Sequence, residues 1–454
     1  FNGFRVGPMH KFKTFLNGGI DELKIYDIAL SALEIAYKHD VTSFESTNLN
    51  FLNESRKILL KEYFSKNIDD SSIKMNNEYR SLRKKLMNHI DSIPELMVMG
   101  DTPEPRQTYL LKRGVYNEFG EEVFPNTPKA ILNFDNNLPK NRLGLSKWLF
   151  DNKNPLTARV FVNRIWQMHF GQGLVSSSDD FGSQGNTPSH PELLDWLSAS
   201  FISYGWNIKK LHKLILMSSS YMQESTAGKV LQENDPENKL LARGPRFRMS
   251  AEMIRDNAIA ISGLLVNKIG GKSVYPYQPD GIWDLSDKSW RYKYPKKKDE
   301  NLYRRSLYTF WKRSAPPPLM TLFDAPNRDF CATKRTLTSS PLQSLALLNN
   351  PEFIEAGRVL AEKTLTKNYN SEDELLTEIF RKVTSRCPSE NELNTLKKYY
   401  NEEYKRFREN YSNAIKYISI GEKKLNDGID PLKTAALATV INGLMNTSEA
   451  VNIY

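Results

Sequence analysis

Apolar positions along this chain change period three times. Over residues 1–28 they alternate, with Phe4, Val6, Phe15, Ile20, Leu23 and Ile25 setting the beat, which predicts strands. Over 43–93 the period becomes helical. Phe51, Leu52, Ile58, Leu59, Leu60 and Tyr63 mark one arm, and Leu82, Leu86 and Ile90, four apart, mark a second. A polar turn over 67–72 joins them, so a helical hairpin is predicted as a spacer or docking element. The run PELMVMGDTPEPRQTYLLKRGVYNEFGEEVFPNTP is Pro-rich and without helical period, and predicts an extended segment wrapping over the next domain. From Gly144 onward the pattern is helical. Asn154 caps a helix with Pro155 at its first position, and Gly171 ends it. Pro191 starts another, with Leu193, Leu194, Leu197 and Phe201 as its stripe. Further helices are predicted over 208–221, 250–266, 341–349, 351–364, 372–383, 390–410 and 432–445. Between Gly270 and Tyr303 lies a Tyr-, Trp-, Pro- and Lys-rich loop. Loops of that length inside a domain are usually functional.

A chain of 454 residues holds about three domains and can bury a large core. Hydrophobic content of 39% and charged content of 26% fit a globular protein. The longest apolar runs, such as 214–217, are too short to span a bilayer. The chain starts at Phe1 inside a strand-like run, so a longer polypeptide is expected upstream. The lack of a visible signal peptide or lipidation signal therefore says nothing about export. Lys and Arg number 63 against 53 Asp and Glu, a net charge of +10. That balance favours an anionic partner such as an acidic glycan, a nucleic acid or an anionic membrane surface, and serves solubility equally well. The two cysteines, Cys331 and Cys387, have no metal or redox spacing; a disulfide and a pair of buried free thiols both remain open. There is no phosphate loop, dinucleotide fingerprint, nucleophile elbow, HExxH or nucleic-acid motif.

Candidate chemistry concentrates in a few places. All seven tryptophans fall between Trp148 and Trp311. Trp148, Trp166, Trp196 and Trp206 occupy expected core-facing helical positions. Trp283 and Trp290 sit in the long loop with Tyr275, Tyr277, Tyr292 and Tyr294, beside Lys288, Arg291 and Lys293. Loops run over surfaces, so at least one of these indoles is expected to be partly accessible near Arg304 and Arg328. On the Asn154 helix, Arg159, Asn163 and Trp166 share a face. His169 lies at the C-terminal end, where the dipole favours its charged form. Such a cluster can grip a sulfate, phosphate or carboxylate, or tie the helix to its neighbours. His190, Glu192 and Asp195 crowd one helix start; capping outweighs a metal site there. His212 reads as a core or boundary histidine. In RGPRFRMSAEMIRDN, Arg246 and Arg248 are two apart and, if extended, point to one side with Phe247 opposite. Glu252 and Asp256, with Arg255 between them, suit an acid–base pair, metal ligation or an ion-pair network. Arg304, Arg305, Asp324 and Arg328 form the last concentration, around a stiff Pro wall at 315–318.

Two long stretches carry a resemblance. LTARVFVNRIWQMHFGQGLV, DDFG and PSHPELLDWL make up the first, and YRRSLYTFW, APPP, FDAPNRD and TLTSSPLQSLALLNNPEF the second. Both resemble the planctomycete secreted domain family (domain of unknown function 1553), from about Pro103 to the C-terminus. The run GGIDELKIYDIALSALEI resembles the closing strand of a laminin-G-like, concanavalin-type jelly roll followed by a short helix over 29–37. In such sandwiches a carboxylate like Asp21 sometimes touches calcium; a plain surface Asp is the simpler reading. The expected organisation is a jelly-roll end over 1–40, a helical hairpin over 41–100 and a mainly α, loop-rich multi-helix domain over 101–454. The resemblance implies an extracytoplasmic setting, periplasmic or cell-surface, beside sulfatase-like proteins that work on sulfated polysaccharides. It implies no cofactor in this segment, with haem only in an upstream cytochrome-like region, and it assigns no catalytic residues. Three functions follow. One is a component that binds an anionic glycan or docks a sulfatase-like partner. The second is a glycan-acting enzyme, redox-linked to the upstream region; the third is a structural scaffold. The expected partners are an anionic polysaccharide, a sulfatase-like protein and upstream domains of the same polypeptide, with no nucleic acid and no membrane span.

Overall fold

The computed structural model describes residues 23–26, 30–39, 54–102, 104, 106–283, 293–295, 299–367 and 369–454. The chain separates into two units, Phe1–Arg106 and Gln107–Tyr454. The jelly-roll reading falls mostly outside the described residues, Asp21 included, and Leu23–Tyr26 carry no regular secondary structure. In the first unit the helices Ala32–His39, Glu54–Asn67 and Asp70–Asp91 are described, and none has a buried residue. The last two form the hairpin. Its turn is shorter than the pattern suggested, because Asp69 accepts from Ser72 N at 3.1 Å and restarts the helix at once.

The second unit is mainly α and loop-rich, with two small antiparallel sheets. Thr108–Leu111 pairs with Phe119–Val123, so the segment expected to run extended contains a β-hairpin. Phe247–Arg248 pairs with Asn452–Ile453, which ties the middle of the chain to its end. Helices divide between two cores. The smaller gathers Thr157–Phe170, Pro191–Ser203 and Ile208–Leu216 around Val162, Leu194, Phe201 and Leu211. Trp148 and Trp166 are buried as expected, but Trp196 is 54% exposed. Its neighbours Leu194 and Leu197 take the inward face of that helix and turn the indole outward. Trp206 lies in a loop at φ +60°, packed edge-on against Phe201.

The larger core is built around two helices, Pro351–Leu365 and Pro431–Met445. The second is apolar almost all round, through Ala435, Ala436, Leu437, Ala438, Val440 and Ile441, as a helix enclosed by others must be. At their crossing stands Gly357, where a Cβ would lie 3.0 Å from the Ala438 carbonyl oxygen. Gly357→Ala is expected to change stability by less than about 1 kcal/mol, since the gain in helix propensity offsets the tighter contact. Gly357→Leu is expected to lose about 1–3 kcal/mol or more through overpacking. Urea unfolding of the two variants checks the contrast, and equal losses would dismiss the close approach as the cause.

The first of these helices also buries a line of charge. Glu355 accepts from Tyr303 Oη at 2.9 Å, Tyr277 Oη at 2.9 Å and Lys423 N at 2.6 Å. Arg358 lies 2.7 Å from Glu362 and donates to Lys423 O at 2.8 Å. Both cysteines are exposed and unbonded, so neither a disulfide nor buried thiols exist here. Among the described residues no helix is long and apolar enough to cross a membrane.

Candidate polyanion groove

The second unit carries an open groove of about 1070 Å³. One wall begins at the C-terminus of the Thr157–Phe170 helix. Gly171 ends that helix at φ +79°, where Phe247 approaches so closely that a Cβ would lie 2.8 Å from its ring. Only glycine meets both demands. Trp166 and Phe170 stack at 4.1 Å between ring centres and line the groove. Asn163, fully buried, donates to Val175 O at 3.0 Å and accepts from Val175 N at 2.8 Å, which fixes the 171–175 turn. Ser189 N donates to Leu174 O at 2.8 Å, and Asn186 Nδ2 to Ser176 Oγ at 2.8 Å, so the 186–189 strip is held alongside.

The opposite wall is a self-bonded loop. Asp235 accepts from Lys239 N and Leu240 N, each at 2.8 Å. The Leu240 amide, with the Lys239 amide and the Arg243 charge behind it, holds Asp235 below the usual carboxylate range. Arg243 Nη2 donates to Asp235 O at 2.8 Å and Pro236 O at 2.9 Å. Its Nη1, like Asn238 Oδ1, is buried without a hydrogen-bond partner, and both residues line the groove. Arg246 lies over the Tyr454 ring at 4.7 Å and is otherwise exposed, as is Lys334. The lining thus brings together four cations, Lys239, Arg243, Arg246 and Lys334, against Glu237, which Lys239 holds at 2.7 Å. Hydrogen-bonding side chains such as Asn186, Thr187 and Gln232 fill the rest of the lining.

Of the residues singled out in the sequence, Trp166, Arg246 and Phe247 line this groove and Asn163 supports it from below. The others lie elsewhere. Arg159 is half-buried and pairs with Asp195 at 2.7 Å. His169 Nε2 lies 2.7 Å from His212 Nδ1, so the two rings share one proton. Burial, and then the neighbouring His212, hold His169 below the ordinary histidine value, which reverses the expected effect of the helix dipole. His190 contacts Ser189 Oγ at 3.1 Å and Glu192 is exposed. Among the described residues no group of three His, Cys, Asp or Glu side chains could hold a metal ion.

Arg248 and Arg246 have different partners. Arg248 donates to Gln343 Oε1 at 3.0 Å and Arg246 to Tyr454 Oη at 3.1 Å. Gln343 in turn reaches Asp324 Oδ2 at 3.4 Å, and Asp324, at φ +63°, accepts from Thr338 N and Oγ1 at 2.7 Å each. Glu252 pairs with Arg335 at 2.6 Å, whereas Asp256 accepts from Ser306 N at 2.8 Å. These three carboxylates serve three different contacts. Arg304 is 2% exposed and donates to Lys268 O, Gly270 O and Lys272 O, which makes it a loop clamp. Arg305 is exposed, and Arg328 stacks over Trp311 at 4.5 Å.

Trp283, one of the two indoles of which at least one was expected to be accessible, is 7% exposed. Tyr294 lies edge-on to it at 5.2 Å and Phe310 at 5.7 Å, while Lys312 Nζ sits 4.8 Å from its ring centre. Among the described residues Tyr275, Trp283 and Tyr294 pack against one another, a way of satisfying aromatic surface that period and composition do not reveal. Trp290 lies outside the described residues. The groove's other cations, Lys239, Arg243 and Lys334, were not among the site candidates drawn from the sequence, although Arg243 and Lys334 lie in its charge-rich stretches. They come from separate loops with no common spacing.

No curated protein and no solved structure matches the chain. A sequence model of the family PSD1, described as a protein of unknown function (DUF1553), matches residues 141–400. That span starts at Asn141, the cap of the Arg142–Leu149 helix, and takes in both motif-rich stretches, much of the groove and most of the larger core. With more than half of its length matched, the chain belongs to the PSD1 family, DUF1553.

Proposed function

We propose that this chain is a binding component of an extracytoplasmic polysaccharide-processing system, and that the groove holds an anionic, sulfated glycan. The observation that carries the reading is the groove lining: four cations against one already paired carboxylate, set among amide and hydroxyl side chains and beside the Trp166–Phe170 stack. Arg guanidinium groups bind sulfate and carboxylate oxygens through charge-assisted, often bidentate hydrogen bonds. Arg243 Nη1 already stands without a partner at the wall. Glycan hydrolysis ordinarily uses two opposed carboxyl groups, and the groove lining supplies only Glu237, so binding is favoured over chemistry at this place. The extracytoplasmic setting and a sulfatase-like docking partner belong to the same proposal; they rest on the family resemblance rather than on the groove.

The test is equilibrium binding to dextran sulfate with neutral dextran as control, at low and high salt. The sulfated polymer is expected to bind and the neutral one not, with affinity falling steeply as salt screens exposed charge. Arg246→Ala combined with Lys334→Ala is expected to weaken binding about tenfold, the equivalent of roughly 1.4 kcal/mol. Both side chains are exposed, so the fold is expected to survive the change. Equal affinity for neutral dextran, or a double variant that binds like the parent, would reject the groove as a polyanion site.

A further inference from the structure

A second cavity lies in the larger core, independent of the groove. It measures about 140 Å³ and is walled by Tyr277, Tyr294, Pro317, Pro318, Met320 and Ala346. Polar residues line it too: Gln278 and Asn350, which are half-buried, and Arg255, Glu352 and Thr309, which are buried at 1%, 2% and 7% exposed. The last three matter most. Each carries an atom without a hydrogen-bond partner, namely Arg255 Nε, Glu352 Oε1 and Thr309 Oγ1. Glu352 Oε1 does lie 2.6 Å from Arg255 Nη2, whose two N–H groups serve it and Leu302 O, also at 2.6 Å, so the carboxylate is charge-paired but keeps lone pairs for a further donor. Buried polar atoms are satisfied in the great majority of cases, and exceptions gathered around one cavity need an explanation.

The unmet atoms define what would satisfy them. One is an obligate donor, one an acceptor, and one a hydroxyl that can do either. A pair of adjacent hydroxyl groups offers both roles from each oxygen. The charges leave no room for an ionic ligand, because Arg255 is matched by Glu352 and, at 3.5 Å, by Asp256. Tyr277 and Tyr294 have already committed their hydroxyls, to Glu355 and to Pro276 O, so they offer a ligand ring surface only. Prolines and Met320 extend that apolar wall. In size the cavity is close to the roughly 150 Å³ that holds a six-membered hydrocarbon ring. We propose that this cavity is a binding site for one neutral, six-membered ring bearing vicinal hydroxyls, the chemistry of a single sugar unit or cyclic polyol. Arg255 and Glu352 hold the diol, Thr309 a further oxygen, and the tyrosine and proline walls the C–H face.

Titration calorimetry of the full chain with cis-1,2-cyclohexanediol, cyclohexanol, myo-inositol and glucose tests this. The diol is expected to bind, and cyclohexanol, with one hydroxyl, about tenfold more weakly. At least one of inositol and glucose is expected to compete with the diol. Thr309→Val removes a hydroxyl at nearly constant shape and is expected to lower affinity several-fold. Ala346→Met fills the cavity and is expected to abolish binding while thermal melting shows that the fold persists. Parent-protein results alone decide the case should a variant fail to fold. No heat with any of the four compounds, equal affinity for diol and mono-alcohol, or a crystal soaked with the diol that shows ordered water only, would each overturn the proposal. None of these outcomes bears on dextran sulfate binding in the groove, since the probes are uncharged and the residues are different.

Discussion

Arg255→Ala is expected to cost the second unit about 3–5 kcal/mol, the range for removing one partner of a buried ion pair. Arg255 is 1% exposed, on the Ala251–Ile261 helix. It donates to Leu302 O at 2.6 Å, to Arg304 O at 2.9 Å and to Ser306 Oγ at 3.2 Å, and lies 2.6 Å from Glu352. The alanine leaves two carbonyls and a carboxylate behind, each needing water that cannot reach them. Burial already pushes Glu352 above the ordinary carboxylate value, with Arg255 pulling the other way. Without Arg255 the folded state binds a proton at Glu352 that the unfolded chain releases. Stability of the variant therefore falls as pH rises through that titration, and its deficit against the parent narrows toward a pH of about 5. Urea unfolding followed by circular dichroism at two pH values measures both effects. The double change Arg255→Met with Glu352→Leu is expected to recover much of the loss, since apolar replacement of both partners removes the stranded charge. A single variant within about 1 kcal/mol of the parent would show that the cluster is solvated and that this account of the core is wrong.

The Asn163→Ala variant is expected to lose about 2–6 kcal/mol, at about 1–3 kcal/mol for each of the two buried backbone groups left unpaired. Its side chain meets both the N–H and the C=O of Val175. Gly173 packs so tightly on it that a Cβ there would lie 2.6 Å from Asn163 Nδ2. That contact supports the turn carrying Gly171, Gln172 and Leu174 into the groove. Faster amide hydrogen exchange over 171–176 is expected, together with weaker dextran sulfate binding even at temperatures where the variant remains folded. Asn163→Asp keeps the acceptor for Val175 N but loses the donor and buries a charge, so it is expected to fare no better. Unchanged exchange in that turn would separate Asn163 from the groove and leave it a purely local core residue.

The two residues illustrate how far the sequence reaches. Helix positions followed from local physics. Asn154 Oδ1 accepts from Leu156 N at 3.0 Å and Thr157 N at 3.3 Å, although the helix starts at Thr157, two residues later than Pro155, and Gly171 closes it in the left-handed conformation that glycine tolerates. Short-range rules suffice there because the partners are a few residues apart. The helix Tyr411–Ile418 was missed, since no apolar period marks it off from its longer neighbour. The placement of charge was not legible at all. PEFIEAGRVLAEKTL reads as a helix with an outward polar face, yet Glu352, Glu355 and Arg358 point into the protein. Apart from the Arg358–Glu362 pair within the helix, their partners, Arg255, Tyr277, Tyr303 and the backbone at Lys423, come from distant segments, so no window of sequence contains those pairings. Arg246 and Lys334 reach the groove across a similar gap, and Trp283 leaves the surface because rings from Tyr275, Tyr294 and Phe310 close around it. By itself the sequence determined the helices, their caps and the family, because period, capping and motif are local properties of the chain. Which charges are buried, which face solvent and which share a cavity was decided by tertiary packing, since the free energy of a charge depends on what surrounds it.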